Sequence, residues 1–281
     1  TKTNTRISNK TVPGIQSAAW FPNASLTIVR YLSGTDFSTI NSYALSASGS
    51  SGFFLPQNLS DVAVSDTGIL MLSSGVSGSI ASLSRADGTR SSEVFTTPLS
   101  SLRIAFAGKN QYLAFTKPSS ALSGSAFIVG STGILSRVAG PKNGLVAKAS
   151  KSGKWVLVSY MSNDSMQMEL VDVATGESIA LPVATIADKC VWTENDSAIY
   201  CGIPIDPSQD FIYPDDWYQG VAHFSDRIWK IDVAGRYAQL VLDFPKETEV
   251  SLDAQSLAVD SLNTVLVFVN KNDSSLWSYS L

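Results

Sequence analysis

Residues 190–200 read Cys-Val-Trp-Thr-Glu-Asn-Asp-Ser-Ala-Ile-Tyr, and this pattern of an apolar run, a polar turn and a second apolar run decides the fold. It occurs six times along the chain. Aligned on one position of the first run, the copies lie at Trp20, Val64, Phe106, Ala149, Trp192 and Val259. The first four intervals are 44, 42, 43 and 43 residues, and the last is 67. Self-similarity at about 40–50 residues is typical of a β-propeller, in which each repeat forms a four-stranded blade.

Each unit continues in the same way after its first run. Asn, Asp, Ser and Gly supply the turn. A second apolar strand follows, as at Trp155 to Tyr160, then a third, as at Met168 to Val173, and a fourth strand completes the unit. The sequence therefore predicts an all-β, six-bladed β-propeller with four-stranded antiparallel blades. The alternative is a two-sheet sandwich in which the regular interval is a coincidence.

The repeat runs almost from end to end, which predicts a single domain over residues 1–281. The predicted blades span about 15–57, 59–99, 101–140, 144–183, 186–242 and 253–281, the last together with 3–10. The sixth unit stops at Leu281, after its third strand. We therefore expect the N-terminal strand, Thr3 to Lys10, to pair in the last blade and close the ring, since an open edge strand invites aggregation.

The composition excludes several classes of protein. Charged residues make up 16% of the chain and hydrophobic residues 44%, with a net charge of -4. A nucleic-acid binder would need a clustered basic face, which this chain lacks. A run of about 18 apolar residues, which a membrane span needs, is also missing. The sequence begins at Thr1 without Met, so we expect a mature or trimmed form, with an upstream anchor as an alternative. We expect a monomer.

The two cysteines, Cys190 and Cys201, flank the turn Glu194 to Ser197. Pairing residues symmetrically about this turn places the cysteines opposite each other. Cross-strand Cβ atoms lie about 4.5–5.5 Å apart, close to what a disulfide needs. The sequence predicts a disulfide, and two buried free thiols are the alternative. A disulfide predicts an extracytoplasmic location, whether periplasmic, secreted or at the cell surface.

Two inner hairpins carry a resemblance to a known family. Residues 19–28 read Ala-Trp-Phe-Pro-Asn-Ala-Ser-Leu-Thr-Ile, and residues 191–200 follow the same plan, with a weaker copy at 149–157. These hairpins resemble the apolar-x-Trp-Ser-Pro-Asp-Gly-x-x-Ile-x-Phe unit of TolB-type six-bladed propellers and of the related dipeptidyl-peptidase-IV-like propellers. The Pro-Asp-Gly core is degraded in every unit. The resemblance implies the fold, and it implies binding of proteins, peptides or sugars, or gating of an enzyme.

Signatures of catalysis are missing from the sequence. It contains no Gly-x-Ser-x-Gly, no Cys-x-x-Cys, no phosphate loop and no dinucleotide fingerprint. His223 is the only histidine, which excludes a zinc site built on several histidines. We therefore expect no enzyme activity, no catalytic residues and no cofactor.

An insertion in the fifth unit, residues 204–226, makes the last interval long. Long loops in compact domains are commonly functional or disordered, and the aromatic content of this one argues against disorder. It supplies the candidate ligand-binding residues Tyr213, Asp215, Asp216, Trp217, Tyr218 and His223. Aromatic rings, including Phe224, offer stacking surfaces for a sugar or a peptide. Carboxylates at Asp206, Asp210, Asp215 and Asp216 offer hydrogen-bond acceptors or ligands for Ca²⁺. The alternative is a self-packed loop that satisfies its own aromatic residues.

A second set of candidates lies three residues before each aligned position. These residues, Ser17, Asp61, Arg103, Val146, Lys189 and Ser256, begin the innermost strands. We expect them to ring the channel mouth on the face of the insertion. Asp61, Arg103 and Lys189 are the candidates for binding a polar ligand. The alternative is a solvated rim with internal ion pairs, each worth about 0–1 kcal/mol.

Two functions follow from these features. The first is a non-catalytic, exported or envelope-associated interaction module that binds a protein or peptide on the insertion-bearing face. The second is a carbohydrate-binding or carbohydrate-active propeller. It would use the aromatic residues of the insertion and two carboxylates drawn from Asp206, Asp210, Asp215, Asp216 and Asp61. Glycoside hydrolysis needs carboxyl groups about 5–5.5 or 6.5–9.5 Å apart.

Overall fold

The structure is a computed structural model and describes residues 12–49 and 51–281. Its strands fall into six successive antiparallel sheets, each built from strands that follow one another along the chain. Five sheets have four strands, and the last has three among the described residues. The fold is thus the predicted all-β, six-bladed β-propeller. The predicted ring-closing strand, Thr3 to Lys10, lies outside the described residues.

The chain divides into two compact units, and the division passes through the third blade. Unit 1 comprises the described residues up to Phe106 together with Val129–Ile134. Unit 2 comprises Ala107–Ile128 and Leu135–Leu281. The expectation of a single domain stays a prediction.

Unit 1 contains the first two blades and the first strand of the third. Blade 1 consists of β1 (Ile15–Trp20), β2 (Leu26–Ser33), β3 (Thr39–Ser46) and β4 (Gly52–Phe54). Blade 2 consists of β5 (Asp61–Val64), β6 (Gly68–Gly75), β7 (Gly78–Arg85) and β8 (Ser92–Thr97), and β9 (Leu102–Phe106) follows. Buried side chains from both blades, including Phe21, Ile28, Leu59 and Ile69, form one hydrophobic core.

Unit 2 contains the remaining strands, except for one terminal strand residue, Val129. The third blade continues with β10 (Tyr112–Thr116), β11 (Ser123–Val129) and β12 (Leu135–Asn143). Blade 4 consists of β13 (Val146–Ala149), β14 (Trp155–Ser162), β15 (Ser165–Asp172) and β16 (Ser178–Ala180). Blade 5 consists of β17 (Cys190–Trp192), β18 (Ala198–Pro204), β19 (Asp226–Asp232) and β20 (Tyr237–Asp243). Blade 6 consists of β21 (Ala254–Val259), β22 (Val265–Asn270) and β23 (Leu276–Ser280). Two short helices, α1 (Asp215–Gln219) and α2 (Phe244–Glu247), lie between strands of this unit.

The inner turn of each blade explains the turn residues in the repeat. The residue four positions after the aligned one has a positive φ in five of the six turns, namely Ala24, Asn110, Gly153, Asp196 and Asn263. Asn, Asp and Gly tolerate this left-handed conformation better than other residues. The turn therefore selects the residue type, and the recurring Asn, Asp and Gly at this position made the repeat recognisable in the sequence.

The predicted disulfide between Cys190 and Cys201 is present. The two residues are paired across β17 and β18, with Val191 opposite Tyr200 and Trp192 opposite Ile199, which is the predicted register. Their Cα atoms are 4.1 Å apart, and both side chains are fully buried. The disulfide therefore joins the two innermost strands of blade 5, the blade that carries the insertion.

We expect the double variant Cys190→Ala/Cys201→Ala to lose about 3 kcal/mol of unfolding free energy, because the cross-link restricts the unfolded chain. Urea unfolding of the purified protein measures this loss. Reductant should destabilise the wild type and leave the double variant unchanged. Equal stability of the two proteins under oxidising conditions would contradict the prediction.

Candidate functional site

The insertion leaves blade 5 and returns to it at a single point. Pro204, at the end of β18, pairs with Asp226, at the start of β19. One residue further out, the N–H of Ile205 donates to the carbonyl of Ser225 over 2.7 Å. The ladder of the blade thus continues one step into the insertion before the two arms separate.

Within the insertion, hydrogen bonds fold the chain into helix α1. The Asp216 carboxylate accepts the N–H of Ile212 at 2.7 Å, and the N–H of Asp216 donates to the carbonyl of Ile212 at 2.9 Å. Gly220 ends the helix with φ 77°, a conformation that favours glycine. The C-terminal side is closed by Val221 and Ala222, whose N–H groups both donate to the Asp216 carbonyl.

Three aromatic side chains of the insertion pack on one another. The ring of Phe224 lies 5.1 Å from Tyr213 and 6.4 Å from Trp217, centroid to centroid, and is nearly parallel to Trp217. All three side chains are buried. These three rings therefore pack within the insertion, which is the self-packed alternative to an open stacking surface. Tyr218 differs, since it is 39% exposed and its hydroxyl donates to Asp188 at 2.7 Å.

A buried lysine lies beneath the aromatic residues. Lys189, in a 3₁₀ turn over Ala187–Lys189, has no exposed surface. Its ammonium group binds the Asp253 carboxylate, lies 2.8 Å from Asp226 Oδ2 and donates to the Ala254 carbonyl at 3.0 Å. The ammonium also lies 5.0 Å from the centre of the Phe224 ring. Because an unpaired buried charge is very costly, these two carboxylates are what permit Lys189 to be buried.

Asp253 joins the lysine to the insertion. Its carboxylate accepts the indole N–H of Trp217 at 3.0 Å and the backbone N–H of Phe224 at 3.1 Å. The backbone N–H of Asp253 donates to the Asn270 side chain at 3.0 Å, which holds the residue at the start of blade 6. The aromatic part of the insertion is therefore held by a carboxylate from the next blade.

Asp226 is the least fully hydrogen-bonded member of this charged cluster. One oxygen accepts the N–H of Ala254 at 2.7 Å, while the other is buried without a hydrogen-bond partner among the described residues. Burial, opposed by Lys189, raises the pKa of Asp226 to about 6. Gly202 makes room for this side chain, because a Cβ at that position would lie 2.9 Å from Asp226 Oδ2.

A second lysine, Lys271, approaches the cluster from the loop after β22. Its ammonium lies 5.0 Å from the centre of the Trp217 ring, on an indole that is also near Lys189. Burial lowers the pKa of Lys271, the Asp253 carboxylate opposes that shift, and the charge of Lys189 adds to it. With two lysines and two aspartates, the ionised cluster carries no net charge.

Other contacts tie the insertion to blades 3 and 4. The Asp215 carboxylate accepts the backbone N–H of Ser120 at 3.0 Å and the Ser120 hydroxyl at 2.5 Å. Pro214 packs on Gly144, where an added Cβ would lie 2.8 Å from Pro214 Cδ. Together with the contacts to Asp188 and Asp253, the insertion is attached to loops of four blades.

An open cavity of about 670 Å³ lies beside the insertion. One wall is the tip of the β14–β15 hairpin, residues 161–166, and a second is the part of the insertion before helix α1, including Phe211, Ile212 and Tyr213. Ser120, Ala121 and Asn143 of blade 3 form a third wall. Asp164 is the one charged residue among the described residues that line the cavity.

The predicted candidate residues belong to two different units of the chain. Asp61 and Arg103 belong to unit 1, where Asp61 Oδ2 accepts the N–H of Ile104 at 2.9 Å. Lys189, Tyr213 and Trp217 belong to unit 2 and are buried together. The remaining candidates of the insertion lie nearby in the chain: Asp215, Asp216, Tyr218 and the exposed His223. Their roles in ligand binding stay predictions.

Sequence reasoning missed three parts of this region. Asp253 carried no signal, because a carboxylate before a strand is ordinary on a protein surface. The β14–β15 hairpin was not among the predicted candidates, although residues 161–166 form a wall of the cavity. The burial of Lys189 was also unexpected, since the repeat placed it on a rim where ion pairs would be solvated.

Over residues 12–49 and 51–281, no group of three or more His, Cys, Asp or Glu side chains has an arrangement that would hold a metal ion. Within these ranges, no helix has the length and hydropathy to span a membrane.

Comparisons with known proteins give the fold. No protein-family profile matches the chain, and no curated protein matches its sequence significantly. TolB from Acinetobacter baumannii is 12% identical, with a TM-score of 0.54 over 80% of this chain and 53% of its own. This chain therefore spans about half the length of that TolB.

Two further solved structures are similar. Hydrazine synthase from Kuenenia stuttgartiensis is 11% identical, with a TM-score of 0.66 over 100% of this chain and 80% of its own. The acylaminoacyl peptidase of Pyrococcus horikoshii is 11% identical, with a TM-score of 0.63 over 95% of this chain and 44% of its own. The resemblance to TolB-like and peptidase propellers is thus confirmed as a likeness of fold.

We expect Gly144→Ala to destabilise the protein by about 2–3 kcal/mol. The alanine would place a side chain on a backbone with φ +64°, which is unfavourable, and its Cβ would also press on Pro214. Gly176→Ala is the matched control, because Gly176 has φ +73° and open space around it, so about 1 kcal/mol is expected. Thermal and urea unfolding compare the two variants. Equal losses would show that Gly144 does not support the insertion.

We expect Asp226→Asn to flatten the pH dependence of stability between pH 5 and 7.5. The folded pKa of Asp226 is about 6, and the unfolded value is about 3.9. The folded state therefore binds the proton more tightly, so this group's contribution is largest below pH 4 and is lost as the pH rises through 6. In the wild type, this group should remove about 1 kcal/mol of stability between pH 5 and 7.5.

Urea unfolding of both proteins at the two pH values tests this expectation. The variant should lack that change, while the other titrating groups affect both proteins alike. A wild type and a variant with parallel pH profiles would contradict the assignment.

Proposed function

We propose that the protein is a non-catalytic, exported or envelope-associated interaction module that binds a protein or peptide on its insertion-bearing face. The observation that carries the proposal is the attachment of the insertion to loops of four blades through Asp215, Pro214, Tyr218 and Trp217. A long loop held in this way is ordered before a partner arrives. Binding therefore need not order the loop, a step that reduces affinity in flexible interfaces.

The outer surface of the insertion has the composition of a docking surface. Ile212 is 61% exposed and Val221 57% exposed, on either side of helix α1. Tyr218 stands between them in sequence with part of its ring exposed. Aromatic and apolar side chains on a fixed backbone are typical anchors of protein interfaces. The polar Ser120, Asn143 and Gln209 stand near this surface, as a polar rim does.

Two further observations support the location and the class of function. A buried disulfide is typical of proteins in oxidising compartments, which supports an extracytoplasmic location. Propellers of the TolB type, which the inner hairpins resemble, bind proteins, peptides or sugars. The likeness of fold supports a binding role without naming the partner.

The carbohydrate alternative has no observation that favours it. Two of its carboxylates are engaged within the protein, Asp215 with Ser120 and Asp216 with Ile212. The rings of Tyr213, Trp217 and Phe224 are buried and offer no open face to a sugar. The expectation that the protein has no enzyme activity stays untested. Binding of Ca²⁺ by the carboxylates of the insertion also stays an untested alternative.

Co-purification from an envelope extract of the native source, followed by mass spectrometry, tests the proposal. We expect the wild type to retain a specific protein, and Ile212→Asp/Val221→Asp to retain at least tenfold less of it, because new charges would oppose burial of this surface. The matched control is Leu262→Asp/Tyr237→Asp, which places two acids on exposed side chains at the opposite end of the strands. Equal capture by both double variants would show that the insertion-bearing face does not bind the partner.

A further inference from the structure

We infer that the open cavity beside the insertion is a groove for an extended, uncharged peptide segment. One apolar side chain of the segment enters the groove, and a polar group of the segment meets the hydroxyls of Tyr213 and Thr185. This inference rests on the proposed function and deepens it, because it names the site and the chemistry of the segment that the partner presents.

The size and the walls of the groove suit such a segment. Its volume of about 670 Å³ falls within the range of ligand pockets, about 300–1,000 Å³. One wall is a tight hairpin, in which Ser162 pairs with Ser165 and both Asn163 and Asp164 have positive φ. This two-residue turn is a rigid hairpin form. The opposite wall is the anchored insertion, so both walls are set before a ligand binds.

Within the described part of the chain, the lining is uncharged except for Asp164, which is exposed on the hairpin turn, so most of its contacts suit a neutral ligand. Ser162, Asn163, Ser208 and Gln209 can donate to and accept from peptide amides. No Lys or Arg occurs among the described residues of the lining, and Asp164 would repel an anion. A phosphorylated or acidic segment would therefore find no cation to pair with in this groove. An uncharged backbone needs only hydrogen bonds, which the lining can supply.

The apolar part of the lining favours a peptide side chain over a sugar. Met161 and Met166 stand on the hairpin wall, with Phe211 on the insertion wall. Methionine side chains adapt to apolar groups of varied shape. Sugars usually require an open aromatic face, and the ring of Tyr213 is buried and packs against Phe224 within the insertion. The chemistry of the groove therefore points to an apolar side chain.

A smaller cavity that shares lining residues with the groove contains a second, independent sign of a ligand. Met161, Met166 and Tyr213 line both the groove and a smaller cavity of about 10 Å³, which also has Thr185 in its wall. The hydroxyls of Tyr213 and Thr185 are buried and have no hydrogen-bond partner among the described residues. Buried hydroxyls are normally paired, and the smaller cavity has room for one small polar group. Burial raises the pKa of Tyr213, so its hydroxyl stays protonated and can donate.

Selection from a phage library of random linear twelve-residue peptides on the full-length protein tests the inference. We expect enrichment of uncharged sequences that share an apolar residue. A synthetic copy of the most enriched peptide should bind in calorimetry. Ser162→Trp, which fills the groove from an exposed position, should weaken binding at least tenfold. Ser178→Trp is the matched control, because Ser178 is an exposed serine on β16 of the same blade, outside the groove, and binding should be unchanged.

Tyr213→Phe and Thr185→Val test the hydroxyl pair without disturbing the fold. Each removes a hydroxyl that has no hydrogen-bond partner within residues 12–49 and 51–281, so thermal stability should be retained or rise, whereas peptide affinity should fall by about three- to tenfold. Unchanged affinity in both variants would overturn the assignment of the polar group. A Tyr213→Phe variant that loses stability would show that its hydroxyl has a structural partner instead.

Three outcomes would overturn the groove itself. They are enrichment of charged peptides, failure of any enriched peptide to bind, and binding that Ser162→Trp leaves intact. Binding of a glycan array at the groove, lost in Ser162→Trp, would replace the peptide by a sugar. The proposed function is judged separately. If Ile212→Asp/Val221→Asp abolishes partner capture but Ser162→Trp does not, the function stands and the groove inference falls.

Discussion

The placement of the insertion depends on one interaction, the binding of the Lys189 ammonium by the carboxylates of Asp226 and Asp253. Lys189 precedes the first strand of blade 5, Asp226 follows the insertion and Asp253 precedes blade 6. A charge without solvent must be paired, so these three points of the chain are forced to meet. Trp217 then closes over the cluster and donates its indole N–H to Asp253, which fixes helix α1. A buried ion pair of this kind adds little net stability, but removing one partner would leave a costly unpaired charge beneath the insertion.

This constraint explains how a long loop can have a defined shape. The paired arms at Pro204 and Asp226 fix where the insertion starts and ends. The charged cluster and the Asp215–Ser120 hydrogen bonds fix its far side. Between those points, the stretch from Pro207 to Tyr213 is left as a wall of the open cavity. The contacts that order the loop therefore also leave the groove open, because a loop packed flat on the blades would leave no space beside it.

The fold could be predicted from the sequence because its signals are local. Asn110, Gly153 and Asp196 stand where the inner turn requires a positive φ, and the register across one such turn placed Cys190 opposite Cys201. The site could not be predicted in the same way, because it depends on residues distant in the chain. Lys189 and Asp253 are 64 positions apart, and no periodicity links them. Aromatic composition drew attention to the insertion, but it does not distinguish the buried Trp217 from the more exposed Tyr218.

The paired arms of the insertion have a consequence for how such a protein can diversify. Because Ile205 and Ser225 are joined by a backbone hydrogen bond, the twenty or so residues between them form a cassette whose exchange would leave the strand ladder of blade 5 intact. Any replacement segment would still have to cover the charges of Lys189 and Asp253, as Trp217 and Phe224 do here. The sequence of the insertion can therefore change by exchange of this cassette, while the paired ends of β18 and β19 are kept.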